Sequence, residues 1–317
     1  PNSDLRHALN VETVTRAVAI SRRGEQPRPI GRMLNANSFV NAIVGLHATG
    51  GSTNHTLHLP AMAAAAGIDL RWDDFARLSE VVPLLTRIYP NGNADVNHFH
   101  AAGGMGFVMR ELLAAGLLDG SAMTVWGGSL NDYAVEPTLT TDGVIFRPAP
   151  EASLDTTILR PVADPHQANG GLAMLAGNIG RAVIKVSAVD PAHHTITAPA
   201  AVFDHEADVK AAIASGQLDH DVAVVVRNQG PQANGMPELH SLTPMLSNLQ
   251  DQGFSVMLIT DGRMSGASGR VPAAIHVTPE AVNGGAIGRI RDGDMITLDV
   301  GAGALSVDAD LDGRPAC

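Results

Sequence analysis

An apolar run, Val256 to Thr260, opens into the loop DGRMSGASGR, which ends at Arg270. In that loop Arg263 and Arg270 supply positive charge for an anion, and Ser265 stands between Met264 and Gly266 with a hydroxyl to present. Ser268 follows in the same turn. Gly262, Gly266 and Gly269 allow a ligand to approach the main chain closely. The spacing is not that of a phosphate-binding P-loop, because GASGR lacks the closing Gly-Lys-Ser/Thr. Nor is it the Gly-x-Ser-x-Gly elbow of hydrolases. From spacing alone, a solvated turn at a sheet edge is an equally good account.

Some thirty residues upstream, VRNQGPQANGMPEL carries Glu238. Pro237 suits the first turn of a helix and Glu238 beside it would favour the helix dipole. The alternative makes Glu238 a hard-oxygen ligand for a divalent metal. Taken alone, the dipole account is the stronger. A third polar stretch, Gly50-Gly51-Ser52-Thr53-Asn54, stands at a helix-to-helix junction. Backbone N–H groups at a helix start can hold an anion, although Ser52 or Thr53 acting as a plain cap is the simpler reading. The chain has 13 histidines. Those of NHFH (His98, His100), the neighbours His193 and His194, and the pair His55 and His58 have no carboxylate or cysteine at ligand spacing, which argues against metal.

The elements that must position these groups change character along the chain. The first half reads as helices joined by glycine-rich turns: an opening helix through Val11, Val14 and Val18, then FVNAIVGLHA capped by Ser38. STNHTLHLPAMAAAAG follows, kinked or restarted at Pro60, then WDDFARLSEVVPLL and MGFVMRELLAAG with Gly116 as C-cap. From about residue 140, DGVIF, RAVIKVSAV, HTITAPAAVF, DVAVVVRN, FSVMLIT, DMITLDV and ALSVDADL read as strands. Two helices interrupt them, EADVKAAIAS and one starting near Pro237. The second half is expected to form a barrel or compact sheet with helices outside.

Bulk properties narrow the function. The chain has 317 residues, long enough for two domains, is 45% hydrophobic and only 3% aromatic, and carries a formal charge of -11. Scarce aromatics and net negative charge argue against nucleic acid as partner. No apolar run approaches a membrane span, so no membrane partner is expected and the cytoplasm is the default compartment. The one cysteine, Cys317, cannot by itself hold a zinc or iron–sulfur centre.

GGSTNHTLHLPAMAAAAGI, GGLAMLAGNIGRAVIKVSAV, VFDHEADVKAAI, NGMPELHSLTPML and TDGRMSGASGRVPAAIHVTPEA closely resemble the dihydroxy-acid and 6-phosphogluconate dehydratase family. Within it, GGSTNHTLHLPAMA and RMSGASGRVPAAIHVTPEA resemble the 6-phosphogluconate branch. The resemblance implies an α/β chain: the remainder of an α/β/α N-terminal domain over residues 1–150, then a β-barrel-like C-terminal domain with flanking helices over 151–317. It implies a hydro-lyase that removes water from a sugar acid, in which an iron–sulfur cluster (4Fe–4S rather than 2Fe–2S) receives the C3 hydroxyl and Mg²⁺ holds the carboxylate and C2 hydroxyl. By motif match Ser265 would be the base at C2 and Glu238 a Mg²⁺ ligand. Arg263, Gly266, Ser268, Arg270, Ser52, Thr53 and Asn54 would be the substrate-facing candidates.

Family members are about twice this length and carry their cluster cysteines in the N-terminal half. The chain is therefore expected to be an incomplete piece, inactive alone, from an enzyme that is a homodimer when whole. Two other readings stand beside this one: a relative acting on a dihydroxy acid or another sugar acid, and a non-catalytic anion-binding or assembly module.

Overall fold

The computed structural model describes residues 3–89, 91–264 and 269–315. The opening helix, α1 (Asp4–Ile20), starts at Ser3, whose side chain accepts the Arg6 N–H. It buries no residue, and Val11, Val14 and Val18 remain exposed. Helix α2 (Ala36–Thr49) is capped by Asn35 rather than Ser38. Asn35 accepts the Ser38 N–H, and the Ser38 hydroxyl returns the bond to the Asn35 backbone, a reciprocal capping box. Gly50 closes α2 at φ +55, where a Cβ would lie 2.1 Å from the Asn91 amide nitrogen, so both conformation and space call for glycine.

Helix α3 (His55–Ala65) runs unbroken through Pro60. Proline has no N–H for the carbonyl four residues back, Thr56 O. The indole N–H of Trp72, first residue of α4 (Trp72–Val81), fills that place at 2.9 Å. A satisfied carbonyl removes part of the reason to break. Helices α5 (Val96–Ala101) and α6 (Gly104–Ala114) complete the helical half, with Gly116 at φ +69 just past α6 as expected. A hairpin follows, β1 (Val135–Thr140) and β2 (Gly143–Pro148), paired antiparallel.

The remaining strands are β3 (Leu172–Gly177), β4 (Gly180–Lys185), β5 (Thr195–Phe203), β6 (Val222–Val226), β7 (Val256–Thr260), β8 (Ala273–Thr278), β9 (Met295–Asp299) and β10 (Ala304–Val307). They close a barrel in the order β10-β3-β4-β8-β7-β6-β5-β9. Strands β5 to β8 run parallel, and the crossovers between them carry α7 (Glu206–Ala214), then α8 (Pro231–Asn234) and α9 (Leu242–Asp251). The mixed α/β character and barrel agree with the expectation from the sequence.

Period-two alternation divides the strand residues between two apolar cores. Ala223 and Val225 of β6 belong to the cluster with Leu175, Ile184, Ile259, Ile296 and Leu305, which fills the barrel. Val222, Val224 and Val226 face the other way and pack with Phe39 and Ile43 of α2, Phe75 of α4 and Leu246 of α9. All five residues of β6 are therefore buried.

Three further sequence expectations need correction. The helix expected from Pro237 begins at Leu242: Gly235 caps α8 at φ +64, Met236 is also left-handed at φ +59, and Glu238 pairs as a β-bridge before a turn leads into α9. Glu238 is thus in no helix, and its dipole account fails. Strand β3, LAMLAG, and strand β8, AAIHVT, gave no alternating signal and were not expected. Last, β4 stops at Lys185 instead of continuing through VSAV.

Candidate active site

The C-terminal ends of the parallel strands gather the loops that hold the candidate residues, the usual place for a site in such sheets. Asp261, directly after β7, ties three of them together. Its carboxylate accepts N–H groups of Asn228 and Gln229 after β6 and of Ala281 after β8. Burial pushes the Asp261 carboxyl above its ordinary range, against the pull of those donors. Gly262 follows with Gln229 Cβ only 2.6 Å from where its own Cβ would stand, so the missing side chain makes room for Gln229.

Glu238 and Arg263 pair as a parallel β-bridge, and Leu239 N donates to Arg263 O at 3.1 Å. The Arg263 guanidinium lies 3.4 Å from the Glu238 carboxylate and donates to Met236 O at 2.7 Å. Both side chains are partly exposed, so the pair faces an opening. The third motif joins the same place from the helical half. Buried Thr53 donates its hydroxyl proton to Met264 O at 2.9 Å. Ser52 accepts the Asn54 N–H at 3.2 Å, a local turn rather than a longer cap, and Asn54 is the N-cap of α3 by backbone position only. The Asn54 side-chain amide oxygen, Oδ1, is buried with no hydrogen-bond partner among the described residues.

Glu238, Arg263 and Thr53, distant in sequence, therefore meet around Arg263 and Met264. Arg270 leaves that group: it pairs with Asp251 at the end of α9 at 2.9 Å and lines a separate polar cleft of about 390 Å³ with Arg87, Asn91, Ser187 and His193. Ser265, Gly266 and Ser268 lie outside the described residues. Among the described residues no group of three His, Cys, Asp or Glu converges as a metal cage. No helix among them is long and apolar enough to cross a membrane.

With this geometry in place, comparison with known proteins is informative. Residues 157–314 match the family description Dihydroxy-acid/6-phosphogluconate dehydratase C-terminal, and residues 1–133 match its N-terminal companion. The chain belongs to this family. It is 56% identical over 308 residues to a phosphogluconate dehydratase of Rhizobium meliloti, covering 97% of this chain and 51% of that protein. The phosphogluconate dehydratase of Escherichia coli K12 is 51% identical, again over 97% of this chain and 51% of its own length. A dihydroxy-acid dehydratase of Natronomonas pharaonis is more distant, 38% identical over 90% of this chain and 47% of its own. The chain thus spans about half the length of the curated relatives it matches.

Sequence reasoning overlooked two buried polar groups beside the motifs of this family member. Lys185 ends β4 and donates to Gly50 O at 2.6 Å and Gly51 O at 3.2 Å, holding the C-terminus of α2 against the barrel. Burial lowers its pKa to about 8. His276, in β8, has φ +57 and is 3% exposed. In both strands the signal was a lone ionisable residue inside an otherwise apolar run, AVIKV and AAIHV.

Proposed function

We propose that this chain contributes one wall of the substrate mouth of a hydro-lyase that dehydrates 6-phospho-D-gluconate to 2-dehydro-3-deoxy-6-phosphogluconate. The observation that carries the reading is the junction of three motifs: Glu238 bridged to Arg263, and Thr53 bonded to Met264, the residue before Ser265. Whatever its conformation, Ser265 is tied to Arg263 by two peptide steps, at most about 7 Å of chain. The names of the relatives favour the phosphorylated sugar acid, since the phosphogluconate dehydratases exceed the dihydroxy-acid dehydratase in identity.

In the reaction the C2–H bond breaks, a C2–C3 double bond forms and hydroxide leaves C3. The resulting enol then tautomerises to the ketone. Ser265 is assigned the C2 proton. A serine hydroxyl is too weak an acid to serve as a base near neutral pH, so its alkoxide needs positive charge nearby. Arg263 supplies some from one side of the loop, whereas Arg270, at its other end, is turned to Asp251. The Ser52–Asn54 turn borders the same mouth, with the Thr53 hydroxyl committed to Met264 O, and Gly266 and Ser268 belong to its loop.

The full enzyme is expected to use Mg²⁺ and a 4Fe–4S cluster. Glu238 offers Mg²⁺ one hard oxygen, which suits that ion; when bound, the ion would neutralise the substrate carboxylate. The cluster requires thiolates, and the described residues include no cysteine. The chain supplies no cluster ligand there, and no step is drawn through one. We further propose a cytoplasmic homodimer, consistent with the apolar surface of Val11, Val14 and Val18, and a division of the chain near residue 150.

The test is turnover by the cluster-loaded, full-length gene product on 6-phosphogluconate, gluconate and dihydroxyisovalerate. A kcat/KM highest for 6-phosphogluconate is expected. Preference for dihydroxyisovalerate would reassign the branch, and no 2-keto product from any of them would remove the hydro-lyase reading.

A further inference from the structure

Beside the Glu238–Arg263 pair lies a cleft of about 440 Å³ whose walls include Trp72, Met236, Asp261, His276, Pro279 and Glu280. Its apolar faces are suited to C–H groups; its polar side chains include the acceptors Asp261, Glu280 and His276 together with Asn283 and with Arg181, which pairs with Asp73. Two of those acceptors are already engaged. Asp261 takes three backbone N–H groups, and Glu280 takes those of Gln232 and Ala233 together with the Asn283 amide. His276 differs.

The strand around His276 is built in an unusual way. Pairing of β4 with β8 shifts register, so that Arg181 faces Thr278 while Val183 faces Ile275. One extra residue is accommodated on β8, and His276 takes the left-handed φ that this bulge needs. Histidine tolerates that region better than most side chains. Its backbone N–H goes to Gly262 O at 2.9 Å, which ties the bulge to the residue before Arg263.

The tautomer follows from a proton count. Thr56 Oγ1 has one proton, and it donates that to Thr53 O at 2.9 Å. With its proton on Thr53 O, the same hydroxyl oxygen accepts at 3.2 Å from His276 Nδ1, so the tautomer that keeps both Thr56 contacts is the one with the ring proton on Nδ1. Nε2 is left as a bare lone pair, buried and with no hydrogen-bond partner among the described residues. Burial, helped by Arg263, lowers the pKa to about 3, so the ring stays neutral at working pH and Nε2 can only accept.

We infer that His276 Nε2 accepts a hydrogen bond from a hydroxyl of a polyhydroxylated acid whose carbon chain lies in this cleft beside Trp72. An anion has no proton to offer this nitrogen, which assigns the cleft to the hydroxyl-bearing part of the ligand. The assignment rests on the sugar-acid reading of the site and adds to it a group that selects by hydroxyl pattern.

Two variants separate a ligand contact from a packing role. In His276→Asn the amide nitrogen stands near the place of Nδ1, keeps the donor to Thr56 and tolerates the left-handed backbone, but nothing replaces Nε2. In His276→Gln the chain reaches the Nε2 position with an acceptor oxygen and loses the bond to Thr56. In the cluster-loaded full-length gene product, KM for the sugar acid should rise roughly 2- to 13-fold in the Asn variant, the loss of one neutral hydrogen bond. Thermal stability should stay near wild type. The Gln variant should recover part of the KM while losing stability. An Asn variant with wild-type KM, or a Gln variant as impaired in KM as Asn, would overturn the inference.

A second measurement holds whatever turnover the protein shows. In the 15N-histidine-labelled protein, Nε2 of His276 should resonate as an unprotonated nitrogen and move on titration with gluconate, while Nδ1 stays put. An Nε2 resonance unchanged through the millimolar range would also overturn it, whereas a moved resonance in a protein without turnover would count against the hydro-lyase reading alone.

Discussion

Lys185 brings an ammonium into the barrel wall, where two backbone carbonyls are its hydrogen-bond partners and no described carboxylate pairs with it. Its pKa falls from 10.5 to about 8 because burial disfavours the charge. Between those values the unfolded chain holds the proton and the folded chain does not, so raising the pH through that window favours folding. The cost of the buried charge is therefore fully present below pH 8 and gone above 10.5. Comparison with Lys185→Met cancels the other titrations. Relative to that variant, the wild type should gain roughly 3 kcal/mol between pH 8 and pH 10.5. Urea unfolding across that range measures it, and a constant difference would show that the group does not titrate there. Lys185 and His276 were visible in the sequence as isolated ionisable residues, but not what they touch. Gly50, Thr56 and Gly262 come to them from remote segments.

At the level of elements, the bond from Thr53 to Met264 O joins the helical half to the loop that follows β7. Thr53→Val keeps the shape and branching of the side chain but deprives that carbonyl of its donor. The expected loss is about 1–3 kcal/mol, the cost of a buried unpaired acceptor, with a fall in kcat as the loop loses its anchor. Denaturant titration checks the first, and unchanged stability would show that the loop is held elsewhere. Such joins explain what the sequence could and could not reveal. Helices α2, α3 and α6 were legible because capping residues, periodic apolar positions and closing glycines are local signals. The misplaced start of α9 has a non-local cause. Glu238 and Leu239 are drawn into extended pairing with Arg263, and that overrides the helix signal of Pro237 and Glu238. Strands β3 and β8 escaped notice because neither alternates: β3 is rich in small residues, and β8 is buried on both faces along most of its length.

Across the whole molecule, the outer apolar core joins Phe39, Ile43, Leu59 and Phe75 of the helices to Val183, Val222, Val224 and Leu258 of the barrel. A boundary near residue 150 would therefore separate chain segments without separating cores. Residues 151–317 expressed alone should bind the dye 1-anilinonaphthalene-8-sulfonate and lose the sharp thermal transition of the longer chain. A cooperative, dye-free barrel would show that the second half is self-sufficient. The closed barrel presents the ends of its parallel strands to the helices, and there the Glu238–Arg263 bridge meets the Ser52–Asn54 turn. The most direct test of the central assignment is kcat of the cluster-loaded full-length gene product carrying Ser265→Ala on 6-phosphogluconate. If Ser265 takes the C2 proton, turnover should fall by roughly 10²- to 10⁴-fold with little change in stability. Turnover near that of the wild type would make Ser265 a turn residue and place the base elsewhere.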